Sequence, residues 1–475
     1  MRLGTAAGTA ALLAAWSLAS MPAQATGAGP GSPLCVPRTA PARAGLAVVS
    51  DTATHGDPRL RDVTLRSAAL GPLGTVHVEV LLPRGYDPAA MTTRYPVLYL
   101  LHGHGGGYGD WAAHGIEQIA DPRLIVVMPD GGYDGFYSDW YGTDIDGHNG
   151  SVAPGWETFH IDDLLPWVDA NFNTLGTRAG RAIAGLSMGG FGSMSYAARH
   201  PDLFSAAGAF SGAVDSDLDA PVGSEAQILA SNLPDRKLPD NCIWGDPVTQ
   251  AVVWRAHDPT ELAPNLSDVP VSLWSGNGEP GDTTAGAPAW NPGAGATEAG
   301  ILQENQGFIG ALHAAGQQPF VDLYGPGTHD WFYWERDLRA FLARLPGVFW
   351  TGHATGPVPP AVPFSYQSAE PAFSVWGWSF RAEGAAPEFT YLTGVTDHGF
   401  VVRGSGSLAV VMAVAYRPGM TVSGGAGPVR VTRDARTGHA AFVLDLGPGR
   451  TVPQSQFGPG GAAATFPTAY RVTIR

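Results

Sequence analysis

The sequence predicts a doubly wound α/β fold with a mostly parallel sheet, followed by a small all-β domain. Three observations carry this expectation. Val97 to Leu101 and Leu124 to Met128 are continuous apolar runs, as in parallel strands covered on both faces. Segments of helical periodicity alternate with such runs through the first two thirds of the chain. Beyond a proline-dense stretch, the periodicity changes to apolar/polar alternation.

Taken in order, the chain opens with Met1-Arg2, an Ala/Leu-rich run from Ala10 to Ala19, and Ala23-Gln24-Ala25. This is the order of a signal peptide over residues 1–25: a positive start, a short apolar core and an A-x-A cleavage site. The run is shorter than the roughly 20 apolar residues of a membrane helix, and no later stretch reaches that length. The expected location is therefore secreted or extracellular, with a cell-wall-associated state as the variant and no integral membrane segment. The two cysteines, Cys35 and Cys242, are expected to form one disulfide in an oxidising compartment. A formal net charge of −15 argues against nucleic acid and anionic lipid as partners.

Residues 26–350 are expected to form the catalytic domain. Val76-Val78-Val80-Leu82 alternates as a half-buried strand, Val269 to Trp274 is a further apolar run, and Phe320 to Tyr324 reads as a strand. Ile301 to Ala315 and Trp334 to Leu345 read as helices, the second stopped by Pro346. Residues 351–364, with Pro357, Pro359, Pro360 and Pro363, read as a semi-rigid linker. Residues 365–475 read as a small β-sandwich-like accessory domain, from alternations such as Leu408-Val410-Met412-Val414 and Tyr470-Val472-Ile474. There Phe373, Trp376, Trp378 and Phe380 offer either a platform for cell-wall glycan or plain hydrophobic core.

The chemistry centres on Gly185-Leu186-Ser187-Met188-Gly189, between a buried strand (Ala182 to Ala184) and a helix (Phe191 to Arg199). A serine on such a turn is pushed out of the sheet as a nucleophile, and the flanking glycines let strand and helix approach. His329, in Gly327-Thr328-His329-Asp330-Trp331, follows the strand ending at Tyr324 and is the candidate base. The acid is expected between them, past the strand ending at Trp274, where Glu279 and Asp282 share one loop. Leu101-His102-Gly103-His104-Gly105-Gly106-Gly107 resembles an oxyanion loop, with the backbone amides of Met188 and His104 as donors. His102, Gly103, Trp140 and Trp331 are the candidate substrate-binding residues. No metal or cofactor is expected, because His102 and His104 lack further clustered ligands and Asp144 to Gly150 misses the EF-hand register.

Several blocks in order carry a resemblance over about Tyr95 to Leu345. They are Val127-Met128-Pro129-Asp130-Gly131-Gly132, Phe136-Tyr137-Ser138-Asp139-Trp140-Tyr141, Trp156-Glu157-Thr158-Phe159, the serine turn, Gly276-Asn277-Gly278, and Gly327 to Trp334. Together they resemble the esterase D / antigen 85 (mycolyltransferase) branch of the α/β-hydrolases. The resemblance implies Asp282 as the acid and the Met188 and His104 amides as oxyanion donors. Where mycolyltransferases hold trehalose with an aspartate and an arginine, this chain has His102 and Gly105, as ordinary esterases of the wider family do. The expected function is a secreted serine esterase that hydrolyses carboxylic esters through an acyl-enzyme with a Ser-His-Asp triad. The alternative is an antigen 85-like acyltransferase passing the acyl group to a sugar or lipid hydroxyl.

Overall fold

Each central strand is apolar on both faces because it separates two cores. Leu98, Leu100, Val126, Ala182 and Ala184 point into one, while Val97, Tyr99, Leu101, Val127 and Ile183 point into the other. The computed structural model describes residues 35–37, 42, 44–54, 56–90, 92–144, 153–216, 243–245, 249–349, 363–454 and 468–475, all within one unit, Leu34–Arg475. The expected signal peptide, residues 351–362 of the expected linker and Cys242 lie outside the described residues, and of Cys35 only the backbone, in a short strand Cys35–Pro37, is described. The expected disulfide therefore also lies outside them.

Among the described residues, nine strands form the main sheet. They are β1 (Leu46–Thr54), β2 (Asp57–Ser67), β3 (Val76–Leu81), β4 (Val97–Leu101), β5 (Ile125–Pro129), β6 (Arg181–Leu186), β7 (Ala207–Phe210), β8 (Val271–Ser275) and β9 (Phe320–Leu323). Their spatial order is β9-β8-β7-β6-β4-β5-β3-β2-β1. The ladders from β9 to β5 are parallel and those joining β5, β3, β2 and β1 are antiparallel. This is an α/β-hydrolase fold.

Helices α1 (Leu165–Asn171), α2 (Met188–Arg199), α3 (Ala251–His257), α4 (Pro292–Ala314) and α5 (Trp331–Arg344) pack on the sheet and its loops. Phe191 and Met194 of α2 and Phe308 and Leu312 of α4 fill one core, while Leu338 and Phe341 of α5 fill the other. Helix α4 starts at Pro292, nine residues before the expected Ile301, because Asn291 caps it: the Asn291 Oδ1 accepts from the Gly293 and Ala294 amides. No helix among the described residues is long and apolar enough to cross a membrane.

From Phe364 on, two five-stranded antiparallel sheets among the described residues enclose a third core that includes Trp378, Phe380, Leu408, Val410, Phe442 and Val472. The aromatic cluster is therefore largely interior: Trp378 and Phe380 are buried, and Trp376 lies beneath the Arg178 guanidinium, 5.1 Å from ring centroid to Cζ. Phe373 and Trp376 remain half-buried. The sandwich meets the C-terminal end of α2. Tyr366 donates to the Arg199 carbonyl at 2.6 Å, and Glu370 pairs with the Arg199 guanidinium at 2.8 Å. Asn265 and Gln367 exchange two further hydrogen bonds of 2.8 and 2.9 Å.

Two buried histidines make this packing sensitive to acid. His160 donates from Nε2 to the Asp130 carbonyl and accepts at Nδ1 from the Tyr196 hydroxyl, both at 2.9 Å, which holds it neutral. His257 donates from Nδ1 to the Val253 carbonyl. Burial pushes both down to about 4, against an ordinary 6.5. Below the ordinary value the unfolded chain takes up protons that the native state refuses. Stability is thus expected to fall as pH drops from about 6.5 towards 4, by on the order of a few kcal/mol over the pair. Urea denaturation at neutral pH and at about pH 4.5 measures this loss, and His257→Gln should flatten the slope.

Candidate active site

Ser187 sits where β6 becomes α2, with φ 52° and ψ −120°. A non-glycine residue in this region is strained and persists only where its surroundings hold it. The hold is visible: the Ser187 amide donates to the Phe210 carbonyl at 3.0 Å, and its own carbonyl accepts from Phe191 at 3.0 Å. The turn also requires close approach. A Cβ on Gly185 would lie 2.4 Å from the Gly189 carbonyl oxygen, and one on Gly189 would lie 2.5 Å from that of Leu101. Ser187 Oγ does not cap α2; it lies 2.8 Å from His329 Nε2.

His329 lies in the loop between β9 and α5, its amide donating to the Ala294 carbonyl in the first turn of α4. The edge of Trp334 packs against its ring, with centroids 4.9 Å apart. Its Nδ1 is 2.8 Å from Glu298 Oε2. Glu298 stands on the second turn of α4 and is fully buried. Its other oxygen, Oε1, accepts from Ser211 Oγ at 2.8 Å, from Ser275 Oγ at 3.0 Å and from the Gly276 amide at 2.6 Å. Burial alone would raise the Glu298 pKa, but the His329 hydrogen bond and charge, with the Ser211 and Gly276 donors, bring it below the ordinary carboxylate range.

Neither acid expected from the sequence reaches His329. Asp282 is exposed, and its Oδ1 accepts from the Thr284 amide at 2.8 Å and hydroxyl at 2.6 Å, capping the following turn. Those two bonds hold its pKa below the ordinary value. Glu279 is exposed and accepts from Asn277 Nδ2 at 3.0 Å. Sequence reasoning missed Glu298 by starting α4 too late; Asn291-Pro292, a capping residue followed by proline, was the available signal.

The loop after β4 is pinned from beneath. His102 is buried, its Nδ1 donating to the Gly103 carbonyl and its Nε2 accepting from the Gly131 amide, both at 2.8 Å. With both ring nitrogens engaged, it holds the loop and offers nothing to a substrate, contrary to expectation. Tyr137 donates to the His102 carbonyl at 2.9 Å from a backbone with φ 47°, next to Phe136 with φ 46°. Two adjacent strained residues thus aim one hydroxyl at the oxyanion loop. Gly103 lies against Ser187: a Cβ there would be 3.4 Å from Ser187 Cβ. Gly105 donates to the Tyr133 carbonyl at 2.8 Å, and His104, half-buried, packs edge-on against the Tyr133 ring. Met188, the first residue of α2, presents an amide that the helix itself does not use.

Trp140 is buried and donates to the Gly135 carbonyl at 3.1 Å. Together with Tyr133, Trp156 and Asp130 it lines a cavity of about 190 Å³ behind the oxyanion loop, whose walls include neither Ser187 nor His329. Trp331 stacks on His114 at 3.7 Å and meets Trp111 edge-on. Its half-buried indole thereby anchors the start of α5. No cluster of residues able to hold a metal occurs among the described residues.

An esterase family model matches residues 70–345. Esterase Rv1288 of Mycobacterium tuberculosis is 34% identical over 300 residues, covering 61% of this chain and 60% of that protein. This chain thus spans less than two thirds of that relative. The diacylglycerol acyltransferase/mycolyltransferase Ag85B of Mycobacterium leprae is 35% identical over 260 residues, covering 53% of this chain and 75% of that protein. Among solved structures, Mycobacterium tuberculosis MPT51 (FbpC1) aligns with a TM-score of 0.47 at 24% identity, covering 60% of this chain and 96% of that one. With more than half of its length matched by the family model, the chain belongs to the esterase family.

Proposed function

We propose that the chain is an exported serine esterase that hydrolyses carboxylic esters through an acyl-enzyme. The observation that carries the reading is the continuous relay Ser187 Oγ, His329 Nε2, His329 Nδ1, Glu298 Oε2, with 2.8 Å at each contact between residues. In this reading Ser187 Oγ attacks the ester carbonyl as His329 Nε2 takes its proton. Glu298 keeps the Nδ1 proton in place and stabilises the imidazolium. The amides of Met188 and His104 face the developing oxyanion. His329 then protonates the leaving alcohol, and water activated by the same imidazole releases the acid. Export rests on the leader-like residues 1–25, and the Cys35–Cys242 disulfide goes with it.

One finding favours a second reading, transfer of the acyl group to a sugar or lipid hydroxyl: the similarity to proteins named mycolyltransferases. Both readings share the acyl-enzyme and differ in what resolves it. The test is turnover of a short-chain p-nitrophenyl ester with and without glycerol or trehalose, with free acid and transferred ester separated. Free acid in both conditions supports hydrolysis; a dominant transferred ester supports the acyltransferase. An organophosphonate that labels a residue other than Ser187 would overturn both.

A further inference from the structure

We propose that Ser211 is a positioning residue of this site, a strained serine retained to lock the Glu298 carboxylate in the rotamer that presents Oε2 to His329. The proposal rests on the relay reading above. Ser211 follows the last residue of β7, is fully buried and has φ 46°. At that φ a glycine would sit without strain, whereas a serine is strained. Its backbone would be held by any residue: the amide donates to the Trp274 carbonyl at 2.8 Å. What the serine adds is Oγ, 2.8 Å from Glu298 Oε1.

The location strengthens the argument. Phe210, just before Ser211, accepts from the Ser187 amide, and Ala213, just after Gly212, donates to the Ser187 carbonyl. The segment that braces the nucleophile turn therefore also carries the hydroxyl that braces the acid. A carboxylate on a long side chain has free rotation about its last bonds. Three donors on Oε1 remove that freedom and leave Oε2 to the imidazole alone. Besides His329, the titratable groups acting on Glu298 are Tyr324, just past β9, and Tyr333 and Asp337 on α5.

The test compares Ser211→Gly, Ser211→Ala and Glu298→Gln. Ser211→Gly removes strain and hydroxyl together, so it should fold at least as well as the parent. The positioning role predicts that both Ser211 variants lose about ten- to hundredfold in kcat with KM within about twofold. It also predicts that protonation of the Glu298 carboxyl, read in the pH profile as the low-pH loss of the His329 Nδ1 proton resonance, moves to higher pH, because a carboxylate that loses a donor is more easily protonated. The downfield proton resonance of His329 Nδ1 should shift or broaden. A Ser211→Gly enzyme with parental kcat, pH profile and resonance would overturn the proposal while leaving the relay intact, provided that Glu298→Gln is inactive. An active Glu298→Gln enzyme would overturn the relay and the Ser211 role with it.

Discussion

Ser187→Ala is expected to lower kcat by at least about 10⁴-fold without lowering the thermal midpoint. In the proposed mechanism the hydroxyl oxygen forms the covalent bond, and the remaining oxyanion donors stabilise only what a water attack would produce. Stability should hold because the turn is kept by backbone bonds to Phe210 and Phe191, neither of which uses Oγ. Alanine keeps the Cβ that the φ of 52° already accommodates. Steady-state kinetics and a thermal melt decide the matter. A folded Ser187→Ala enzyme with more than about a hundredth of parental turnover would remove Ser187 from the mechanism.

The second large effect is expected at Glu298. Glu298→Gln should cost about 10³- to 10⁴-fold in kcat. The amide has the shape of the carboxylate, so the loss arises from proton placement. Oε1 receives hydroxyls from Ser211 and Ser275 and the Gly276 amide, so the glutamine oxygen must occupy that end. Its NH₂ then faces His329 Nδ1 and forces that nitrogen to accept. The proton moves to Nε2, where it meets Ser187 Oγ, and the imidazole can no longer act as base. Asp282→Asn and Glu279→Gln should keep kcat within about twofold, because both side chains serve their own loop. A parental rate for Glu298→Gln together with a loss in Asp282→Asn would restore the acid expected from the sequence.

The contrast between these positions shows what was legible. Strand-to-loop transitions are written in local pattern. The apolar runs ending at Leu101 and Leu186 announce loops at the carboxyl end of a buried sheet, and the structure places His102 to Gly105 and Ser187 there. The carboxylate that pairs with His329 is carried in a different way. It reaches the imidazole from the second turn of a helix whose first residues are Pro292, Gly293, Ala294, Gly295 and Ala296, with no apolar stripe to reveal them as helical. Asp282, by contrast, sits where a fold rule looks for an acid, but its own carboxylate closes a turn on Thr284. His102 misled for a similar reason: a histidine in a glycine-rich loop suggests a ligand contact, and only three dimensions show Gly131 and Gly103 already occupying both nitrogens.

The grip of Tyr366 and Glu370 on Arg199 bears on how this enzyme could have been assembled or re-engineered. Arg199 closes the helix that Ser187 opens, and it also pairs with Glu157 at 2.9 Å. The β-sandwich is therefore keyed to one particular hydrolase surface, made of Arg199, Asp202, Asn265 and Arg178. It is not a portable module. A chimera that transplants it to another esterase would need those four positions carried across, and a minimal enzyme ending before it would leave the far end of the nucleophile helix without its cap.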